Sequence, residues 1–163
     1  MNFNLKIIRN KSFKDHRGYY WTSWKKNMMK KIKFKHDKFS LSKKNVLRGL
    51  HGDSKTWKLI SCPYGKFLLV VVDCRKNSKN YLKWKSCVLS HQNGLQILIP
   101  PKFANGHLCL SEKCLFHYKL SYKGSYIDAK EQFSLKCNDP KIKIKWGIKK
   151  PILSQRDKKA KLL

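Results

Sequence analysis

A chain of 163 residues, 41% hydrophobic and 12% aromatic, is long enough to bury a core and too apolar for disorder. No apolar run approaches the ~20 residues that cross a bilayer, and residues 1–6 lack the basic-then-apolar order of a secretory signal. The expectation is a cytoplasmic protein, one domain over 1–163, with no membrane association. Lys and Arg total 38 against nine acids, a formal net charge of +29, which admits nucleic acid, an anionic surface or a phosphorylated substrate. Arg supplies only five of the 38, and the lysines run through the whole chain. Base-edge readout and bidentate phosphate grips favour Arg, so no specific nucleic-acid partner is expected.

In chain order, the spacing predicts a helix over 23–33, where Trp24, Met28 and Ile32 recur every four residues. Short runs rich in Val, Ile, Leu and aromatics then predict strands over 46–50, 57–62, 67–73, 84–89 and 95–99. Turn residues such as Pro63-Tyr64-Gly65, Asn77-Ser78 and Pro100-Pro101 separate them. Further strands are predicted over 115–122 and 142–146. Lys141, Lys143 and Lys145 alternate with Ile142 and Ile144, which reads as an edge strand guarded by lysines rather than a stripe for an anion. Strands this short and regularly spaced indicate a sandwich or barrel. None of the six cysteines forms a C-x-x-C pair, so they read as reduced core residues.

Three clusters could carry chemistry. Arg48-Gly49-Leu50-His51 on a strand would put Arg48 and Leu50 on one face and His51 on the other, with Gly49 allowing a close approach. His117-Tyr118-Lys119, followed by Tyr122 and Tyr126, fits an ordinary core strand as well as a site. Asp157 has Lys158 and Lys159 beside it, so a solvated ion pair is its plainer reading. No metal is expected: His51 is followed two residues on by Asp53 rather than His, and the other histidines are scattered. There is no G-x-G-x-x-G, P-loop or G-x-S-x-G, which removes the usual signatures for NAD, ATP and serine hydrolysis.

The motifs taken in order resemble the dTDP-4-keto-6-deoxyglucose 3,5-epimerase family, the rhamnose-pathway epimerases. Phe13-Lys14-Asp15-His16-Arg17-Gly18 is similar to its F-x-D-x-R-G. Residues 40–51, with Ser40, Ser42 and Val46-Leu47-Arg48-Gly49-Leu50-His51, are similar to its S-x-S-x-x-x-V-L-R-G-L-H. Lys58, Asp73-Cys74-Arg75 with Ser78, the Gln96–Pro100 segment, Phe103–Ser111, Tyr118-Lys119, Asn138-Asp139-Pro140, Ile144-Lys145-Trp146 and residues 153–157 complete the series. The resemblance implies an all-β cupin or jelly-roll barrel with a few short helices, a homodimer whose subunits exchange strands, and a nucleotide-linked sugar as substrate. It also implies epimerisation without a cofactor. A 4-ketone acidifies the hydrogens on carbons 3 and 5; a base removes one, an enolate forms, and an acid returns a proton on the opposite face. His51 would be the base, oriented by Asp157, and Tyr118 the acid, with Lys58 beside the enolate oxygen. Arg17 and Arg48 would hold the diphosphate or sugar, together with Phe13, Ser40, Ser42 and Asn105.

Three departures bear on the substrate. Asn105 stands where the family has the His of F-A-H-G-F, and an amide cannot carry a proton, so weakening or loss of one epimerisation is expected. Thr22 replaces a carboxylate expected to meet the base of the nucleotide. The loop after His51 is short, and residues 48–53 with 55–59 look like the branch that acts on GDP-linked 4-keto-6-deoxy heptoses for bacterial capsule. A 3,4-ketoisomerase on the same barrel and a basic binding protein are the competing readings.

Overall fold

The computed structural model describes residues 5–163. Twelve strands form β1 (Lys6–Arg9), β2 (Ser12–Asp15), β3 (Gly18–Trp21), β4 (His36–Lys43), β5 (Leu47–Gly52), β6 (Trp57–Tyr64), β7 (Lys66–Asp73), β8 (Trp84–Ser90), β9 (Leu95–Ile99), β10 (Phe103–Cys109), β11 (Lys113–Ser121) and β12 (Phe133–Ser134), with one short helix α1 (Gln155–Lys158). They pair antiparallel as two five-stranded sheets, β1-β9-β6-β11-β4 and β12-β5-β10-β7-β8, and a separate β2-β3 hairpin. This is the all-β jelly-roll architecture expected from the sequence.

Three apolar layers hold the sheets. Ile60, Phe67, Leu69, Val71, Ile97, Ile99, Phe103 and Phe116 fill the space between them. Behind the second sheet, Leu47, Leu50, Val70, Val72, Ala104 and Leu108 are covered by Leu135, Cys137, Ile142 and Trp146 from the C-terminal segment. Behind the first, Leu59 and Leu98 are covered by Trp24, Met29, Ile32 and Phe34. Strand β7 is therefore buried on both faces, which explains its unbroken apolar run: Leu69 and Val71 point inward, Val70 and Val72 outward. Four of the six cysteines are buried and all six are free, as packing residues would be.

Two expected elements differ. The segment 23–33 is a series of turns, closed by bonds from Met28 N to Lys25 O (3.0 Å) and from Ile32 N to Met29 O (3.1 Å). Trp24 and Ile32 reach the sheet from either side of the turns over 26–31, and Met29 rather than Met28 is buried. A helix this short takes its stability from tertiary packing, and here the packing is reached without one. Residues 142–146 form no strand either. The amides of Ile142 and Lys143 both donate to Asp139 O (3.1 and 3.0 Å), and Lys143 takes a φ of +56°. The alternation in that stretch is real as sidedness: Ile142 and Trp146 are buried and the lysines exposed, but Trp146 Nε1 donates to Cys137 O (2.8 Å) instead of joining a ladder. Among the described residues no helix is long and apolar enough to cross a membrane.

Candidate active site

The open end of the barrel holds a cavity of about 340 Å³ whose lining includes His51, Lys58, Asn105, Tyr118, Asp157 and Arg48. Its shape depends on a bulge in β5. Asn105 pairs with His51 and His107 with Arg48, so one residue on β10, Gly106, opposes two on β5, Gly49 and Leu50. The extra residue shifts the alternation by one, which puts Arg48 and His51 on the same, cavity-facing side. The expectation that Arg48 shares a face with Leu50 is thus corrected: Leu50 packs into the layer behind the sheet. Gly49 sits in the bulge with φ +115°, and a Cβ there would lie 2.6 Å from Gly106 Cα and 2.7 Å from Asn105 O. Only glycine permits that approach.

His51 and Asp157 are far apart in sequence and meet through the C-terminal segment. Leu47 N donates to Ile152 O (3.0 Å) and Ile152 N to Asn45 O (2.9 Å), so the returning chain runs beside the start of β5. Ser154 then caps α1, its Oγ accepting from Asp157 N (3.1 Å) and donating to Asp157 Oδ2 (2.8 Å). The other carboxylate oxygen lies 2.7 Å from His51 Nε2. Burial acts to raise the Asp157 carboxyl, but the hydrogen bonds from His51 and Ser154 outweigh it and hold the group below the usual carboxylate range. A carboxylate can only accept, so His51 Nε2 carries a hydrogen, and in the neutral ring Nδ1 is the nitrogen left with a lone pair.

Lys58 is buried on β6. Its Nζ donates to Asn105 Oδ1 (3.2 Å) and lies 3.8 Å from Asp53 Oδ2. Burial lowers its ammonium below the usual value, and Asp53 opposes that. Asp53 itself is fixed by the amides of Lys55 and Thr56 (2.9 and 2.7 Å), so the short loop after β5 delivers a carboxylate to Lys58. Tyr118 faces the cavity from β11, and burial pushes its phenol above the ordinary value. Its neighbours His117 and Lys119 point the other way and bind Asp37 at 2.8 and 2.7 Å. The cluster 117–119 is therefore split between the two faces of its strand.

Arg48 is held at the cavity mouth by Ser42 Oγ, which accepts from Nε (3.0 Å), and by Leu41 O (3.2 Å); Ser40 also lines the cavity. Phe13 and Arg17 do not join it. They lie on the exposed β2-β3 hairpin, where Arg17 pairs with Asp15 at 2.7 Å and Phe13 stacks on Tyr20. Sequence reasoning also missed several lining residues, Lys38, Thr56, His107, Gln132 and Arg156, while Tyr126 joins Tyr118 in the lining. Burial pushes His107 down to about 3, so it is neutral. Arg156 is fixed by Ser134 Oγ (3.1 Å) and Gln132 O (3.2 Å), and its place beside Asp157 was the one available signal. Among the described residues no group of three or more His, Cys, Asp or Glu side chains converges as a metal site would require.

A buried carboxylate on an imidazole, a buried lysine and a phenol around one cavity are groups that can accept a proton, stabilise negative charge and donate a proton. The family model for dTDP-4-dehydrorhamnose 3,5-epimerase matches residues 3–163. The enzyme of that name from Salmonella typhimurium is 37% identical over 96% of this chain and 89% of its own length, and the one from Escherichia coli is 35% identical over 94% and 86%. The crystal structure of the Legionella pneumophila epimerase in complex with dTDP-4-keto-L-rhamnose superposes with a TM-score of 0.89 at 36% identity, covering 97% of this chain and 87% of that one. The Bacillus anthracis enzyme with TDP and PPi bound gives 0.91 at 30%, covering 98% and 94%. The chain belongs to the dTDP-4-dehydrorhamnose 3,5-epimerase family and is an enzyme of the isomerase class.

Proposed function

We propose that the protein, acting as a single domain, inverts carbon 3, carbon 5 or both of a nucleotide-linked 4-keto-6-deoxy sugar without a cofactor. The observation that carries this is the 2.7 Å contact between His51 Nε2 and Asp157 Oδ1 at the wall of a cavity that also holds Lys58 and Tyr118. His51 Nδ1 takes the proton next to the ketone, and its imidazolium is stabilised by Asp157. Lys58 places its ammonium by the developing enolate oxygen, in surroundings where charge is poorly screened. Tyr118 returns a proton to the opposite face. Arg48 and Arg156 bring positive charge for the diphosphate.

The substrate we infer is a GDP-linked 4-keto-6-deoxy heptose. Thr22 in place of a base-binding carboxylate and the short loop that brings Asp53 to Lys58 support it. A dTDP-linked hexose is the second reading, favoured by the ligand of the Legionella relative. Asn105 makes a single-centre inversion the expected outcome on either. The working unit we infer is a homodimer, because the resemblance gives Phe13 and Arg17 to substrate and both lie outside the cavity of their own subunit. The test is NMR analysis of the product from each substrate. An epimer with the ketone still at carbon 4 is expected from the GDP-heptose; a product with the ketone at carbon 3 would make the enzyme an isomerase of another kind, and conversion of the dTDP-hexose alone would reassign the nucleotide.

A further inference from the structure

The cavity lining includes a further cation, Lys38, beside the strand that carries Tyr118. Lys38 is the direct cross-strand partner of Tyr118, so the two side chains leave β4 and β11 on the same face. Lys38 Nζ donates to Tyr126 OH at 2.8 Å, stands 4.3 Å from the centre of the same ring, and lies 4.0 Å from Asp128 Oδ1. Tyr126 and Asp128 belong to the connection between β11 and β12, which crosses the mouth and contributes Tyr126, Asp128, Ala129 and Gln132 to the lining. The ring of Tyr126 is also packed edge-on against His36 (4.9 Å) and against Tyr122 (5.6 Å). One ammonium thus joins the strand beside Tyr118 to the strap above it.

We propose that Lys38 is a positioning residue for the acid half of the reaction: it pins the strap through Tyr126 and stabilises the phenolate that Tyr118 becomes when it gives up its proton. The inference rests on Tyr118 being the acid. In that step the O–H bond of Tyr118 breaks, a C–H bond forms on the sugar carbon, and the enolate pair collapses to restore the ketone. The O–H electron pair stays on the phenolic oxygen as negative charge. Solvent water later returns a proton to Tyr118 and removes one from His51. The groups facing Tyr118 are Lys38 from β4, Arg48 from β5, and Tyr126 and Asp128 from the strap. Burial opposes the phenolate most strongly. Lys38 is the largest influence in its favour and Arg48 a lesser one, whereas Tyr126 and Asp128 act against it. Removing Lys38 therefore leaves burial less opposed, and Tyr118 titrates at higher pH.

Two measurements on the full chain test this. The first is NMR of protein carrying ¹³C at tyrosine Cζ, with Tyr118 assigned from Tyr118→Phe, titrated in wild type, Lys38→Met and Lys38→Arg. The expected result is a Tyr118 midpoint displaced upward in Lys38→Met and restored in Lys38→Arg. The second is steady-state kinetics. Lys38→Met is expected to lose kcat by about tenfold, less than the ~10²–10⁴ of a group that itself transfers the proton, with KM little changed. An unmoved Tyr118 midpoint, or a rise in KM with kcat intact, would overturn the proposal and leave Lys38 a simple charge partner for substrate. The titration needs no substrate, so it judges the Lys38–Tyr118 coupling even if wild-type protein fails to epimerise.

Discussion

At the scale of single residues the account rests on Asp157. It is 3% exposed, accepts from His51 and Ser154, and has its carboxyl held below the usual range despite burial. A carboxyl depressed in the folded state contributes stability above its unfolded value of about 3.9 and loses that contribution as pH falls through the folded value. Asp157→Asn should therefore narrow its stability deficit against wild type as pH is lowered through the carboxylate range, measured by denaturant unfolding at stepped pH. The same variant should lose about 10²-fold or more in turnover, because the amide no longer fixes the imidazole with Nδ1 free. A deficit independent of pH would mean that folding leaves the Asp157 carboxyl at its ordinary value, and one that widens as pH falls would mean that the group is protonated in the fold. The Asp157 role was legible only through the resemblance of residues 153–157 to a family motif. Its sequence neighbours Lys158 and Lys159 pointed to a solvated pair, and the contact with His51 depends on a chain return that no local pattern encodes. Lys38 was missed for a related reason: nothing in Asp37-Lys38-Phe39 announces which strand it will pair with.

At the scale of elements, strands with covered faces were readable and elements defined by their neighbours were not. The runs 67–73 and 95–99 are apolar throughout because layers lie on both sides of them, and the structure places strands over Lys66–Asp73 and Leu95–Ile99. Strand β4 was passed over because it alternates His, Asp, Lys and Ser with only two large apolar side chains, Phe39 and Leu41, and these point outward. They are 60% and 56% exposed, and Tyr20 on the hairpin is 66% exposed. Among the described residues β4 is the outermost strand of its sheet. An apolar face beside an open strand edge is what an isologous dimer would cover. Phe39→Lys combined with Leu41→Lys should convert a dimer to a monomer in sedimentation velocity while the far-UV spectrum stays that of a β protein. A wild-type chain that sediments as a monomer would remove the dimer and leave Arg17 without a site.

At the scale of the molecule, the bulge in β5, the close approach of Gly49 to Gly106 and the capped return of the C-terminal segment converge on one cavity. The two sheets supply opposite walls, with His51 and Asn105 on one and Lys58 and Tyr118 on the other, an arrangement in which the proposed base and acid address opposite faces of a sugar ring. The central claim is that these walls move protons on and off carbon next to a ketone. Deuterium incorporation by mass spectrometry tests it most directly, with wild type and His51→Asn incubated in heavy water with the GDP-linked heptose and, separately, the dTDP-linked hexose. One deuterium in a single substrate, absent in His51→Asn, is the predicted result with Asn105 in place. Two would mean that Asn105 does not limit the reaction to one centre. No uptake from either substrate by folded wild-type protein, or equal uptake with His51→Asn, would contradict the assignment of His51 as the base.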